Sequence, residues 1–128
     1  MTVAPSNLID FADRLAPDSE AASRAGVSRA YYGAYHAAKK FHASLPSGGV
    51  VSNPTEGVHG KLYQSLLAPT ISQADPRHTV SRRVGAMGRH LHGLRITADY
   101  ELADTISDEV RKQSVLEARK IIQIIESV

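Results

Sequence analysis

From Ser28 to Phe41 the chain reads Ser-Arg-Ala-Tyr-Tyr-Gly-Ala-Tyr-His-Ala-Ala-Lys-Lys-Phe, a run of helix formers with almost no bulk outside its aromatic rings. Around it Val27, Ala30, Ala34, Ala37 or Ala38, Phe41 and Leu45 recur at three- and four-residue steps, which puts them on one helical face. A face this small lets a neighbouring helix approach to about 8 Å, the short end of the usual axis separation. The stretch therefore predicts a central helix with closely packed neighbours. Arg29, Tyr32, His36 and Lys39 fall on a second, polar face, open to solvent, a partner subunit or a ligand.

The remaining periodicities extend the same theme. Leu8, Phe11, Ala12 and Leu15 predict a short helix from Pro5 to Ala16, capped by Ser6 or Asn7 and stopped by Pro17. Asp18 or Ser19 caps the next helix, which carries Glu20 in its first turn and runs to about Ser44. Residues 45–57 contain two prolines and three glycines and read as a long mobile loop. Val58, Leu62, Tyr63 and Leu66 predict a third helix, followed by a polar connection through Ser72, Asp75 and Pro76. From Thr79, the positions Val80, Val84, Met87, Leu91 and Leu94 make the cleanest amphipathic pattern in the chain. Gly85, Gly88 and Gly93 inside that helix predict a close backbone approach, with the small face of the second helix as the candidate partner. Ser107, Asp108 and Glu109 open a last helix carrying Val110, Val115, Ala118, Ile122 and Ile125. With no strand pattern or internal repeat, the expectation is an all-α, up-and-down bundle of four to five helices in a single domain, residues 1–128.

A chain of 128 residues buries one sizeable core but not two. The absence of cysteine excludes disulfides and thiolate zinc sites and points to a reducing, cytoplasmic setting. No stretch approaches the length of a membrane span, and the first residues lack the build of a signal peptide. The formal charge of +2 says little about partners. Its distribution says more: Arg77, Arg82, Arg83, Arg89 and Arg95 lie within one short segment that has no acid between Asp75 and Asp99.

Several chemistries drop out on inspection. Gly57-Val-His-Gly-Lys61 is not a phosphate loop, because Thr55 stands where its first glycine would be and no strand precedes it. His-Glu-x-x-His is absent, there is no thiol nucleophile, and no serine has a nucleophile-elbow context. His90 and His92 point to different sides of a helix, so a metal would need His36, His42 or His59 to converge with a carboxylate through the tertiary fold. No metal and no cofactor are expected. Arg82, Arg89 and His92 recur at steps of seven and three, with Arg95 one turn later, and read as a basic stripe. Imidazole and guanidinium are the groups that metal-free phosphodiester chemistry requires, one to move a proton and one to hold charge on phosphorus. Arg95 and Asp99 also have the spacing of an i,i+4 ion pair, and Tyr100 reads as core.

Three segments in this order resemble the HEPN family of small stand-alone prokaryotic proteins: Ser28-Arg-Ala-Tyr-Tyr-Gly-Ala-Tyr-His-Ala-Ala, Gly57-Val-His-Gly-Lys, and Leu94-Arg-Ile-Thr-Ala-Asp-Tyr100. The resemblance runs from about Ser19 to Ile125. It implies a helical homodimer acting on or near RNA or nucleotides in toxin-antitoxin or defence systems, with a small nucleotidyltransferase as a possible partner. The family's catalytic motif is an Arg followed within two turns by a His. Arg95 matches the Arg, Asp99 and Tyr100 follow it, and no His does; Arg83 and His90 have the spacing but lie more than a turn too early. The resemblance thus assigns Arg95, Asp99 and Tyr100 to the catalytic position with its proton-transfer residue missing. Arg82, Arg83, Arg89 and His92 are the candidate RNA-binding residues. Two other readings stay open: a metal-independent endoribonuclease in which Arg95 and Tyr100 of both subunits work with His90 or His92, and a non-catalytic interaction module.

Overall fold

The computed structural model describes residues 3–15 and 19–128, which form five helices: α1 (Pro5–Arg14), α2 (Glu20–Ser44), α3 (Val58–Leu67), α4 (Pro76–Tyr100) and α5 (Asp108–Glu126). Among the described residues there is no strand, and the architecture is an all-α bundle. The helix starts follow local side-chain chemistry. Ser19 Oγ accepts from the Ala22 amide at 3.1 Å, and Ser107 Oγ accepts from Val110 at 3.3 Å, each satisfying a donor that the first turn leaves unpaired. At α1 the cap is Ala4, not Ser6 or Asn7; Asn7 instead reaches back, its Oδ1 accepting from the Ala4 amide at 2.9 Å. The expected stop at Ala16 and Pro17, and the alternative cap Asp18, lie outside the described residues. α4 starts a turn earlier than Thr79, because Asp75 caps it by accepting from the Arg77 amide at 2.9 Å and Pro76 supplies a preset φ at the first helical position.

α2 is central and packs against all four other helices. Its small face serves α1 and α5. A Cβ on Gly33 would fall 2.6 Å from Ile9 Cγ1, and one on Gly26 would fall 2.5 Å from Arg111 Cδ. The glycines of α4 meet α3 instead of that face: a Cβ on Gly88 would lie 2.4 Å from the Tyr63 ring, while Gly93 faces open space. α2 and α4 join through Val27 and Ala98, with Leu94 packed beside them. Leu66, Val84, Leu91, Val115 and Ile121 are fully buried, each contributing about 1.5–3 kcal/mol of apolar transfer. Ile9 and Ala12 supply the core face of α1, leaving Phe11 half-exposed; Val58, read as part of the apolar side of α3, is 70% exposed, as it sits on the first turn.

The connection between α2 and α3, expected to be mobile, is hydrogen-bonded to α3. The Gln64 side chain accepts from the Asn53 amide at 2.8 Å and donates to the Asn53 carbonyl at 2.9 Å, and the Val50 amide donates to Ala68 O at 3.0 Å. Gly49 has φ +77°, and a Cβ there would press into the Ser65 carbonyl, so this position admits only glycine.

Two arginines close helix C-termini from a distance. Arg111 is 3% exposed; its Nη1 donates to Ala12 O at 2.8 Å at the end of α1, and its Nε donates to Asp108 at 2.7 Å. Arg24 Nη1 donates to Ala98 O at 2.9 Å and Thr97 O at 3.1 Å, placing a cation on the negative end of α4. This interaction fixes the end of α4 against α2, and the candidate site lies along that seam.

Candidate functional site

Three helices contribute aromatic and basic side chains to one cluster. α2 supplies Tyr31, Tyr32 and Tyr35, α3 supplies His59 and Tyr63, and α4 supplies His92 and Arg95. Tyr31/Tyr35, His59/Tyr63 and His92/Arg95 lie three or four residues apart and so project from one face of their helices, with Tyr32 at the edge of the α2 face beside Tyr31. His59 stacks on Tyr35 with ring centroids 4.0 Å apart and planes 5° from parallel. The His92 ring lies 5.2 Å from His59 and 5.4 Å from Tyr31.

Hydrogen bonds run inward from this surface. The Tyr31 hydroxyl is 2.5 Å from His59 Nδ1 and 2.8 Å from the Tyr63 hydroxyl. Burial pushes both phenols well above the ordinary tyrosine range, so they remain protonated. Burial likewise lowers His59, with His92 and Arg95 adding repulsion, and it lowers His92, with Arg95 and Arg89 adding theirs. Both imidazoles are therefore neutral at pH 7. Each has one nitrogen able to accept and one able to donate, and Tyr31 fixes the partner of Nδ1 on His59.

Arg95 supplies the fixed cation. Its Nη2 donates to the Tyr32 hydroxyl at 2.7 Å, and the guanidinium carbon lies 5.2 Å from the Tyr32 ring centre and 5.3 Å from that of Tyr100. Its Nε lies 2.8 Å from Asp99 Oδ2 in an i,i+4 ion pair whose alignment is poor for a hydrogen bond. Asp99 also accepts from Ser28 Oγ at 3.2 Å, tying the motif to α2. Tyr100 is 67% exposed, so it is not core: it is the last residue of α4 and covers Arg95 from outside.

The structure thus brings Arg95, Asp99 and Tyr100 together as the sequence suggests, and divides the supposed basic stripe. Arg82, Arg83 and Arg89 lie exposed on the outer side of α4, with Arg89 3.4 Å from Glu56. His92 is half-buried and turned inward to the rings. His90 points the other way, 3.5 Å from Glu117 on α5. Sequence reasoning missed the role of His59 and of Tyr31, Tyr35 and Tyr63; the i,i+4 pairs Tyr31/Tyr35 and His59/Tyr63 were the available signal. Among the described residues, no three His, Cys, Asp or Glu side chains converge as metal ligands. The chain matches no family model, no curated protein and no solved structure, so the chemistry of this cluster is read from its own geometry.

Proposed function

We propose that the protein is a homodimeric, HEPN-like RNA-binding protein whose site is the Tyr-His-Arg cluster between α2, α3 and α4. The observation that carries this reading is Arg95: a guanidinium mostly withdrawn from water, bonded to Tyr32, paired with Asp99 and covered by Tyr100, with two neutral imidazoles nearby. Such a group is built to hold a phosphate oxygen. Arg82, Arg83 and Arg89 stand exposed on the outer side of the same helix and offer further phosphate contacts to a strand that leaves the cluster. A toxin-antitoxin or defence setting, with a nucleotidyltransferase partner, belongs to the resemblance and adds nothing to the site's geometry. The arginine face is tested by salt dependence. Replacing Arg82, Arg83 and Arg89 by Ala lowers the log-log salt slope of RNA binding by roughly 0.7 for each phosphate that an arginine no longer neutralises; an unchanged slope contradicts it.

Metal-independent cleavage is a second reading, favoured by the meeting of His59 and His92 at 5.2 Å. No His follows Arg95 in sequence, yet two stand near it in space, one of them hydrogen-bonded to a buried tyrosine. A neutral imidazole takes the 2′-hydroxyl proton as that oxygen bonds to phosphorus, Arg95 holds the charge that grows there, and the imidazolium so formed gives its proton to the 5′-oxygen as the P–O5′ bond breaks.

A further inference from the structure

One groove lies outside the cluster but shares a wall with it. Between the second half of α2, the connection at residues 48–51 and α3 is a cavity of about 300 Å³, floored by Tyr35, Leu62 and Ser65. Lys39 stands on the α2 side and Lys61 on the α3 side; both are exposed, no carboxylate lines the cavity, and neither lysine has an ion-pair partner among the described residues. Val51 and Val58 are 38% and 70% exposed at its rim.

We infer that this groove takes a terminal phosphomonoester together with the nucleoside that bears it, the end of an RNA strand bound at the neighbouring cluster. Charge selects the ligand first. Two unpaired ammonium groups match a monoester of about −1.5 to −2, whereas an internal phosphodiester brings a single charge. Size agrees with it: about 300 Å³, at the lower end of small-ligand pockets, accommodates one nucleotide. The exposed valines offer an apolar surface for the sugar and base. The walls are built in advance, because Gln64 and Gly49 hold the connection on α3 and His42 Nε2 lies 2.8 Å from the Gly48 carbonyl. Tyr35 belongs to both sites, lining the groove and stacking on His59, so a strand end seated here runs directly into the cluster.

The strand is supplied by the RNA-binding reading, whereas a free nucleoside monophosphate offers the same chemistry alone. Four probes separate these: RNA hexamers of one sequence with a 5′-phosphate, a 3′-phosphate or only hydroxyl ends, and adenosine 5′-monophosphate. Each is titrated into the wild type and into a Lys39→Ala/Lys61→Ala variant, which removes two exposed side chains. The expected result is that one phosphorylated hexamer binds at least about fivefold tighter than the hydroxyl hexamer, and that the double variant abolishes the difference. Mononucleotide binding lost in the variant, without an end preference in RNA, assigns the groove to free nucleotides and overturns the strand-end inference. Equal binding of all hexamers, or an end preference that survives in the variant, also overturns it while leaving RNA binding at the cluster intact. If no hexamer binds but the mononucleotide does so through the two lysines, the RNA-binding reading fails together with the strand-end inference, and the groove is assigned to free nucleotides.

Discussion

Tyr31 joins the parts of the cluster that respond to pH, since its hydroxyl touches His59 on one side and Tyr63 on the other. Both His59 and His92 are held below the ordinary value of 6.5, first by burial and then by neighbouring positive groups. In the unfolded chain they titrate near 6.5. As the pH falls below that value, the unfolded state takes up protons that the folded state refuses, so stability present above about pH 6.5 is lost toward the lower folded values. Glu20, Asp75 and Asp108, held low by Arg24, Arg77 and Arg111, act only in the carboxylate range below this window. The urea midpoint should therefore decline from about pH 7 to 5.5, and His59→Gln/His92→Gln should flatten that decline. An equally steep decline in the double variant would show that the imidazoles are not the groups involved. Some of this was legible in the sequence: Arg95 and Asp99 have the spacing of a pair, and they form one. The convergence of His59 with His92 was not, because residues on different helices carry no mutual period and meet only through the packing of α3 on α4.

Helix existence followed from periodicity, and what periodicity could not supply was partner identity. The glycines of α4 illustrate the limit. Their presence signalled a close approach, but only the packed structure shows that Gly88 admits the ring of Tyr63 while Gly93 admits nothing. Gly93→Ala should stabilise the protein by about 0.5–1 kcal/mol through helix propensity alone. Gly88→Ala gains the same propensity but forces the Tyr63 ring to move, for a net loss of about 1–2 kcal/mol from overpacking. Urea denaturation of the two variants checks this, and effects of the same sign would mean that α3 does not pack as described. Arginines turned inward are the opposite case. Arg24 and Arg111 lie in helices where a basic residue ordinarily faces water, and although each has an acid one turn earlier, Glu20 and Asp108, that spacing does not reveal that they are recruited by the unpaired carbonyls at the ends of α4 and α1.

The bundle leaves one end of the cluster exposed. Tyr100, which covers Arg95, is 67% exposed, Leu102 just beyond the end of α4 is 75% exposed, and Arg29 and His36 of α2 are exposed on the same polar helix face as Tyr32. An apolar pair rimmed by charge at the mouth of a site is suited to a second copy of the chain, which would place two clusters across a symmetric interface. Light scattering at tens of micromolar should give the mass of a dimer, and a monomer there removes any composite site. The central claim, that Arg95 holds RNA phosphate in addition to pairing with Asp99, can be tested without knowing the assembly. Arg95→Lys keeps the charge and loses the planar fork. Thermal melts and single-stranded RNA binding should be measured on this variant beside the wild type, with EDTA present and products scored in the same incubations. If Arg95 holds phosphate, the melt stays within about 2 °C of the wild type, binding weakens by about tenfold or more, and any cleavage that the wild type shows disappears. Unchanged binding with an unchanged melt would contradict that role.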